Sequence, residues 1–502
     1  MSATHLTGVD QDPDPGRTPP SAEPTPPNLA TSGGRAYRWS FVSLAVRVAL
    51  QAVSGIVIAK QIGPGGFGSG MLVVSIYGVV SSLVLQGANG TLIIRRVVPR
   101  RMFAGILGID AALGVVATTG FVLSGLLASS TMRISLLTAA AGCAVQVVSG
   151  PGLAMSTRGL RFGRISAAEV FGAVVGTSIA LVVSTQSGSF VALPLQMVVI
   201  DVCVCLVVSR SLFAAPATLA ELASADVGYR YGLQTAGNQL ASTGARNADN
   251  YLVAAFLGHT ALGMYVLAYR LMMMPIQNIS MVLTRVLVPR LRHLAGEPGM
   301  IAVEVRRLLL AIALPVGAMT GAVLPFVSDL LTGTFGQQYG GAIRPTEVLL
   351  LATFPQCCVN VCSCVLAATG HGRRQLRLTT TGLLFAVLAV VVGFPWGISG
   401  VTIVYALLSV MLAVMAVLSL SRLELTPVAP FAEALRYFLL VAALGAAGSL
   451  VWRSVAPTTS LAGGLAQVLY AAMAGVVLAS LLLSRSSRTS LSFWRSVVQG
   501  RV

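Results

Sequence analysis

Four arginines stand inside apolar runs of this chain: Arg47, Arg246, Arg270 and Arg285. A guanidinium at the bilayer centre costs at least ~2.5 kcal/mol, so it faces a watery cavity or a partner. Two of the four share a local pattern. "SLAVRVALQ" holds Ser43, Arg47 and Gln51, and "STGARNADN" holds Ser242, Arg246 and Asn250. Both read Ser-x3-Arg-x3-amide, and a spacing of four puts the three side chains on one helix face. Guanidinium forks are permanently charged and bind phosphate or pyrophosphate bidentately. Two such stripes predict one central chamber for an anionic substrate, lined by Arg47, Gln51, Arg246, Asn250 and Arg270. Asp249 has no counterpart, since the matching position is Leu50. It is either the i,i+3 partner of Arg246 or a coupling-ion site. Arg285 lies close to "VPR" and is read as snorkelling to the interface.

The elements that must position these residues are membrane helices. The 502 residues are 55% hydrophobic and 10% charged, far too apolar for a soluble domain. Apolar runs of about twenty residues recur, each able to cross about 30 Å of hydrocarbon. They run solidly apolar where barrel strands would alternate. Fourteen helices are expected: 38–60, 70–94, 103–128, 134–157, 165–184, 188–208, 231–256, 262–289, 304–331, 346–369, 376–394, 398–420, 433–453 and 462–484.

Charge supports the count. The net charge is +17, but the cations cluster in every second loop: "RRVVPRR" (95–101), "RGLRFGR" (158–164), "RLRH" (290–293) and "HGRRQLR" (371–377). The loops between them, such as "IGPGGFGSG" and "LGHTALG", are nearly uncharged. The positive-inside rule then puts both termini in the cytoplasm of a multi-pass cell-membrane protein. Membrane lipids explain the positive balance, and nucleic acid is excluded as a partner.

The stripes belong to a tandem repeat. Each is followed by a matching turn, "IGPGGFG" (62–68) or "LGHTALG" (257–263), and each next helix ends in "VVPR" (97–100) or "LVPR" (287–290). Six spans separate the copies, so they share one orientation. Two parallel six-helix units with a site between them form a transporter architecture. The expected organisation is a disordered cytoplasmic tail (1–37), an N-lobe of helices 1–6 (38–208), a linker (209–230), a C-lobe of helices 7–12 (231–420), helices 13–14 (421–484) and a basic cytoplasmic tail (485–502). The first tail is rich in proline and acid and lacks the apolar core of a signal peptide.

Other chemistry is scarce. "CCVNVCSC" (Cys357, Cys358, Cys362, Cys364) fits no common zinc spacing and is read as small residues packing between helices. No phosphate-binding G-x4-GK-[ST] loop occurs, so ATP is not the energy source by that route. His259, His293 and His371 fall in loops, which leaves no Ser/His/Asp set. Acids at depth are Asp110, Glu169 and Asp249, followed by Asp201, Asp329 and Glu347. Each can carry a proton or sodium ion or can pair with an arginine. Tyr77, Tyr265 and Tyr269 are candidates for stacking on sugar faces. The sequence therefore predicts no enzyme and no cofactor, with an H+ or Na+ gradient as the driving force.

"LGHTALGMYVLAYRLMMMPIQNISMVLTRVLVPRL" (257–291), preceded by "RNADNYLVAAF", resembles the central signature of Wzx/RfbX-type polysaccharide flippases. "AMSTRGLRFGRISAAEV" (154–170) and "AATGHGRRQLRL" (367–378) are similar to cytoplasmic loops of the colanic-acid and teichuronic-acid exporter branch. The resemblance covers about residues 38–420. It implies the MATE-like fold of the multidrug/oligosaccharidyl-lipid/polysaccharide (MOP) exporter superfamily: all-α, two six-helix lobes and two further helices. It also implies alternating access and translocation of an undecaprenyl-pyrophosphate-linked oligosaccharide, alongside a polysaccharide polymerase and glycosyltransferases. In the related lipid II branch, arginines on the first, second and eighth helices engage the pyrophosphate. Arg47 and Arg270 lie on the matching first and eighth helices, while helix two here has no mid-span arginine.

Two other readings compete. An ion-coupled multidrug or cation antiporter of the same superfamily needs acids to dominate the cavity, whereas arginines dominate these stripes. A membrane-embedded glycan polymerase or ligase needs a large polar outer loop, and the longest candidate, "GTFGQQYGGAIRP" (333–345), is short.

Overall fold

The computed structural model describes residues 29–86, 100–158, 162–209, 229–293, 298–421 and 428–455. Helices dominate throughout, because in hydrocarbon the backbone must satisfy its own hydrogen bonds. The run Leu29–Gln86 breaks at Gly63 into α1 (29–62) and α2 (64–86). Then follow α3 (Arg100–Leu126), α4 (Ser130–Arg158), α5 (Phe162–Ser187) and α6 (Ala192–Val208). The run Tyr229–His293 breaks at Gly258 into α7 (229–257) and α8 (259–293). The rest is α9 (Pro298–Val323), the short α10 (Val327–Phe335), α11 (Ile343–Ala368), α12 (Gly372–Gly393), α13 (Gly397–Ser421) and α14 (Val428–Val455). Among the described residues nine helical stretches are long and apolar enough to cross a membrane, and some hold two successive helices, such as Gly372–Ser421. The chain is a multi-pass, all-α membrane protein.

Each helix expected up to residue 455 has a counterpart, while 462–484 and the basic tail lie outside the described residues. Two boundaries differ in an informative way. Helix α1 starts at Leu29, inside the segment expected as tail; the last proline there is Pro27, and nothing after it bars a helix. The uncharged turns are also far shorter than the expected loops. A single glycine with positive φ makes each break, Gly63 at +71° and Gly258 at +84°, a conformation that side chains resist. Pro64 then occupies the first position of α2, where its missing N–H is not needed. His259 likewise belongs to the first turn of α8 rather than to a loop.

The helices pack in two groups, α1–α6 and α7–α13, joined mainly where α1 and α2 meet α7 and α8. Helix α14 lies outside the repeat and packs on α9. A Cβ on Gly321 of α9 would fall 2.1 Å from the Ala442 carbonyl oxygen, so only glycine permits this approach. Arg306 closes the same seam with a bidentate pair to Glu433, at 2.9 and 3.0 Å. The interior of the second group includes Cys357, Cys358 and Cys362, all buried and unbridged. No cluster of metal-ligating side chains occurs among the described residues, and the three thiols serve as small core residues.

Polar side chains tie the helices together at depth. Gln196 of α6 donates to Ser54 of α1 at 3.0 Å and to Thr177 of α5 at 2.8 Å. At the cation-poor end Tyr339 donates to the Ala59 carbonyl at 3.0 Å, and Gln338 donates to that of Lys60 at 2.9 Å. The first group is thereby fastened to a segment of the second beside the break at Gly63.

Candidate functional site

Helix α7 presents its polar stripe in two directions. Asp249 is buried, and its Oδ2 accepts from Tyr265 Oη at 2.9 Å. Arg246 is exposed and donates from Nη2 to Thr243 Oγ1 at 2.9 Å. The two do not pair: among the described residues Arg246 has no carboxylate within 4 Å. The i,i+3 ion pair offered by the sequence is thus absent, because Tyr265 of α8 satisfies the carboxylate on the buried side. Both residues line a cavity of about 500 Å³ in the second group. Its polar wall also includes Gln356, Asn360 and Ser409, none of which the stripes had indicated.

A second cavity of about 300 Å³ lies between the groups. Arg270 and Asn250 line it with Thr243, Asn247 and Ser75. Arg270 sits against the first repeat: Nη2 is 3.3 Å from Met71 Sδ, and the guanidinium carbon is 5.9 Å from the Phe67 ring centre. A thioether and an aromatic face hold this cation in place without neutralising it. Among the described residues it has no carboxylate partner. Tyr251 of α7 crosses nearby to the Ser75 carbonyl of α2 at 3.1 Å.

Tyr269 lines both cavities. Its ring stacks at 5.8 Å on Tyr265 and meets Tyr405 edge-on at 6.2 Å. The other two tyrosines proposed for sugar stacking point elsewhere. Tyr265 is fully buried, and Tyr77 is 3% exposed and bound to Asp201. Each needs a hydrogen-bond partner for its hydroxyl at depth, and each finds a carboxylate.

The first-repeat stripe behaves differently from its copy. Arg47 Nη1 pairs with Glu169 Oε2 of α5 at 3.1 Å, both side chains being about a quarter exposed. Gln51 is half buried, and its carbonyl accepts from Ser54 at 3.2 Å. Neither residue lines the two cavities around Tyr269. In the first group α5 supplies an acid opposite Arg47. The side chains of Ser43, Ser242 and Arg285 lie outside the described set. Asp110 is buried in α3, and Asp329 is exposed at the start of α10.

A signal for the missed residues was available. Gln146 and Gln356 are mid-helix amides on α4 of the first group and α11 of the second. Gln356 donates to Tyr405 at 3.2 Å and Ser409 at 2.9 Å, and Gln146 donates to Asp201 at 2.8 Å.

Residues 57–344, more than half of the chain, match the family described as polysaccharide biosynthesis protein. The teichuronic acid biosynthesis protein TuaB of Bacillus subtilis (strain 168) is 27% identical over 230 residues, 43% of this chain and 45% of that protein. The match thus spans less than half the length of this curated relative. Among solved structures, the lipid II flippase MurJ in an inward closed conformation superposes with a TM-score of 0.69 at 11% identity, covering 89% of this chain and 98% of that one. An inward-facing multidrug resistance MATE family transporter of the MOP superfamily gives 0.54 at 17% identity, covering 77% and 98%. At such identities the likeness is one of fold.

Proposed function

The chain belongs to the polysaccharide biosynthesis protein family; from that premise we propose that it is a Wzx-type member of the MOP superfamily and flips an undecaprenyl-pyrophosphate-linked oligosaccharide from the cytoplasmic to the outer leaflet. It is a transporter and not an enzyme. The observation that carries the reading is Arg270, a cation facing an interlobe cavity with no carboxylate partner among the described residues. A site that must bind and release a diphosphate needs an uncommitted guanidinium. Arg246, on the neighbouring cavity, is the second such group, and Tyr269 between them offers a ring face to a sugar.

Alternating access fits the packing. The seal at the cation-poor end, around Gly63 and Gly258, lies about 18 Å along α7 from Arg246 at 1.5 Å per residue. The larger cavity approaches the cation-rich end, where Thr379 and Thr380 of α12 join the wall. With that end cytoplasmic, this is an inward-facing arrangement. An H+ or Na+ gradient resets the cycle, with Asp249 as the coupling site in the second lobe. A polymerase and glycosyltransferases supply and consume the glycan.

The test uses the full chain in proteoliposomes loaded with a lipid-linked, pyrophosphate-bearing oligosaccharide. Arg270→Ala should lower its translocation at least tenfold, and Arg270→Lys should restore part of it. Wild-type rates in both variants would overturn the assignment, as would drug efflux with no glycan movement.

A further inference from the structure

The outer face of the first group carries a groove that belongs to neither cavity around Tyr269. Helices α5 and α6 meet backbone to backbone near their middles. A Cβ on Gly176 would fall 2.8 Å from the Gln196 carbonyl oxygen, and one on Gly172 would fall 3.0 Å from Ile200 Cα. Toward the cation-rich end, where α5 begins and α6 stops, the two helices separate. A groove of about 420 Å³ opens between them. Its walls include Ala167, Ala168 and Phe171 of α5 with Leu206 and Val207 of α6, and Arg164 stands among them in the first turn of α5.

The groove looks outward. Phe171 and Leu206 are 63% and 67% exposed, and apolar surface of this kind on a membrane helix meets acyl chains. Arg164, Ala168 and Phe171 recur at spacings of four and three and so share one face of α5. Glu169 turns the other way, inward to Arg47. Arg164 is the one charged side chain lining the groove. It is exposed, and among the described residues it has no carboxylate within 4 Å.

Charge and shape together select the occupant. A trough with apolar walls takes an acyl chain, and an uncommitted guanidinium at its end takes a pair of phosphate oxygens. Basic pockets between membrane helices hold anionic lipid headgroups in this way. A second membrane helix would cover the walls and leave the cation unanswered, whereas a free anion would answer the cation and leave the walls bare. The pattern Gly-x-Arg-x2-Arg recurs as Gly159, Arg161 and Arg164 and as Gly372, Arg374 and Arg377. Arg377 of α12, exposed like Arg164, therefore serves as the control for charge alone.

We propose that the α5–α6 groove binds an anionic phospholipid from the leaflet at the cation-rich end, with its phosphate on Arg164 and one acyl chain between Phe171 and Leu206. The lipid is a resident ligand distinct from any cargo, so the site stands whether or not the chain moves a glycan.

The test is native mass spectrometry of the purified full chain incubated with phosphatidylglycerol or phosphatidylethanolamine. Wild type should retain phosphatidylglycerol several-fold better. Arg164→Gln should lose that preference, and Arg377→Gln should keep it. Equal retention by wild type and Arg164→Gln overturns the proposal, and so does an equal loss in both variants, which reduces the effect to surface charge. Arg164 is exposed, so Arg164→Gln should melt near wild type without added lipid. Phosphatidylglycerol, a ligand of the folded state, should raise the melting temperature of wild type alone; an equal rise in both chains counts against the site. A photoreactive benzoylphenylalanine in place of Phe171 identifies the occupant in membranes. A phospholipid adduct supports the site, and capture of a polyprenyl lipid, of a protein or of nothing overturns it.

Discussion

Gly68 and Gly263 hold equivalent places in the two repeats, and each lies against the backbone of the other copy. A Cβ on Gly68 would sit 1.8 Å from the His259 carbonyl oxygen, and one on Gly263 would sit 2.0 Å from that of Pro64. His259 and Pro64 are themselves equivalent, so the contact is reciprocal, as at a two-fold axis. Ser69 Oγ and His259 Nδ1, 3.0 Å apart, join the lobes beside it. This glycine crossing seals the cation-poor end of the molecule.

The seal predicts a graded effect of one methyl group. Gly263→Ala must push the lobes apart, and overpacking of this kind costs about 1–3 kcal/mol. That amounts to a 5–150-fold shift in a two-state population. Disulfide formation between Ser69→Cys and His259→Cys, in a chain whose native cysteines are replaced, reports the sealed state. The Ala variant should cross-link at least fivefold more slowly. Equal rates would show that the crossing does not govern closure.

Arg47 and Glu169 predict a divergence between two single variants. An ion pair at this exposure contributes at most about 1 kcal/mol, so neither variant should unfold the chain. If the arginine reaches the substrate during the cycle, Glu169→Gln frees it and leaves translocation near wild type, while Arg47→Ala lowers it severalfold. If the pair is only a brace between α1 and α5, both variants and their double should behave alike. Translocation rates in proteoliposomes, compared as a double-mutant cycle, separate the outcomes; we expect divergence.

Arg246 and Arg270 should respond differently to salt. Arg246 is exposed to a wide cavity, where an ionic atmosphere screens it. Arg270 is exposed too, but it lies against Met71 and Phe67 in the smaller cavity, where fewer ions can gather. Binding of inorganic pyrophosphate to the purified chain should weaken with salt in wild type. Arg270→Ala should abolish it, and Arg246→Ala should weaken it several-fold and flatten its salt dependence. Unchanged binding in Arg270→Ala would remove that residue from the site.

These pairings explain what the sequence could and could not reveal. The helices and the duplication were legible because apolar length and the repeated turns are local signals. Gly63 and Gly258 were visible as the matched glycines of "IGPGGFG" and "LGHTALG", although their positive φ was not. Residue type placed Arg270 at depth and marked it as costly. The partners were hidden because they lie far away in the chain: Glu169 opposes Arg47 across 122 positions, and Tyr265 intercepts Asp249 before Arg246 can. A stripe on one helix states which residues share a face, and the neighbouring helix decides which of them stay free. The Gln146 cluster was hidden for the same reason, since Tyr77, Gln146 and Asp201 come from three separate helices.

Asp249 and Tyr265 provide the last prediction, which separates a structural acid from a coupling one. Tyr265→Phe removes the donor to a buried carboxyl and should cost about 1–3 kcal/mol, seen as a lower melting temperature in detergent. Asp249→Asn keeps an oxygen for the tyrosine hydroxyl and keeps the side-chain volume, so it should melt near wild type. Asp249→Ala, which offers no acceptor to the buried Tyr265, should melt lower than the Asn variant. With stability thus controlled, the Asn variant tests coupling alone: it should still bind pyrophosphate at Arg270, yet its translocation should no longer respond to an imposed H+ or Na+ gradient. If translocation by Asp249→Asn follows the gradient as in wild type, Asp249 is a core acid satisfied by Tyr265 and the coupling ion binds elsewhere.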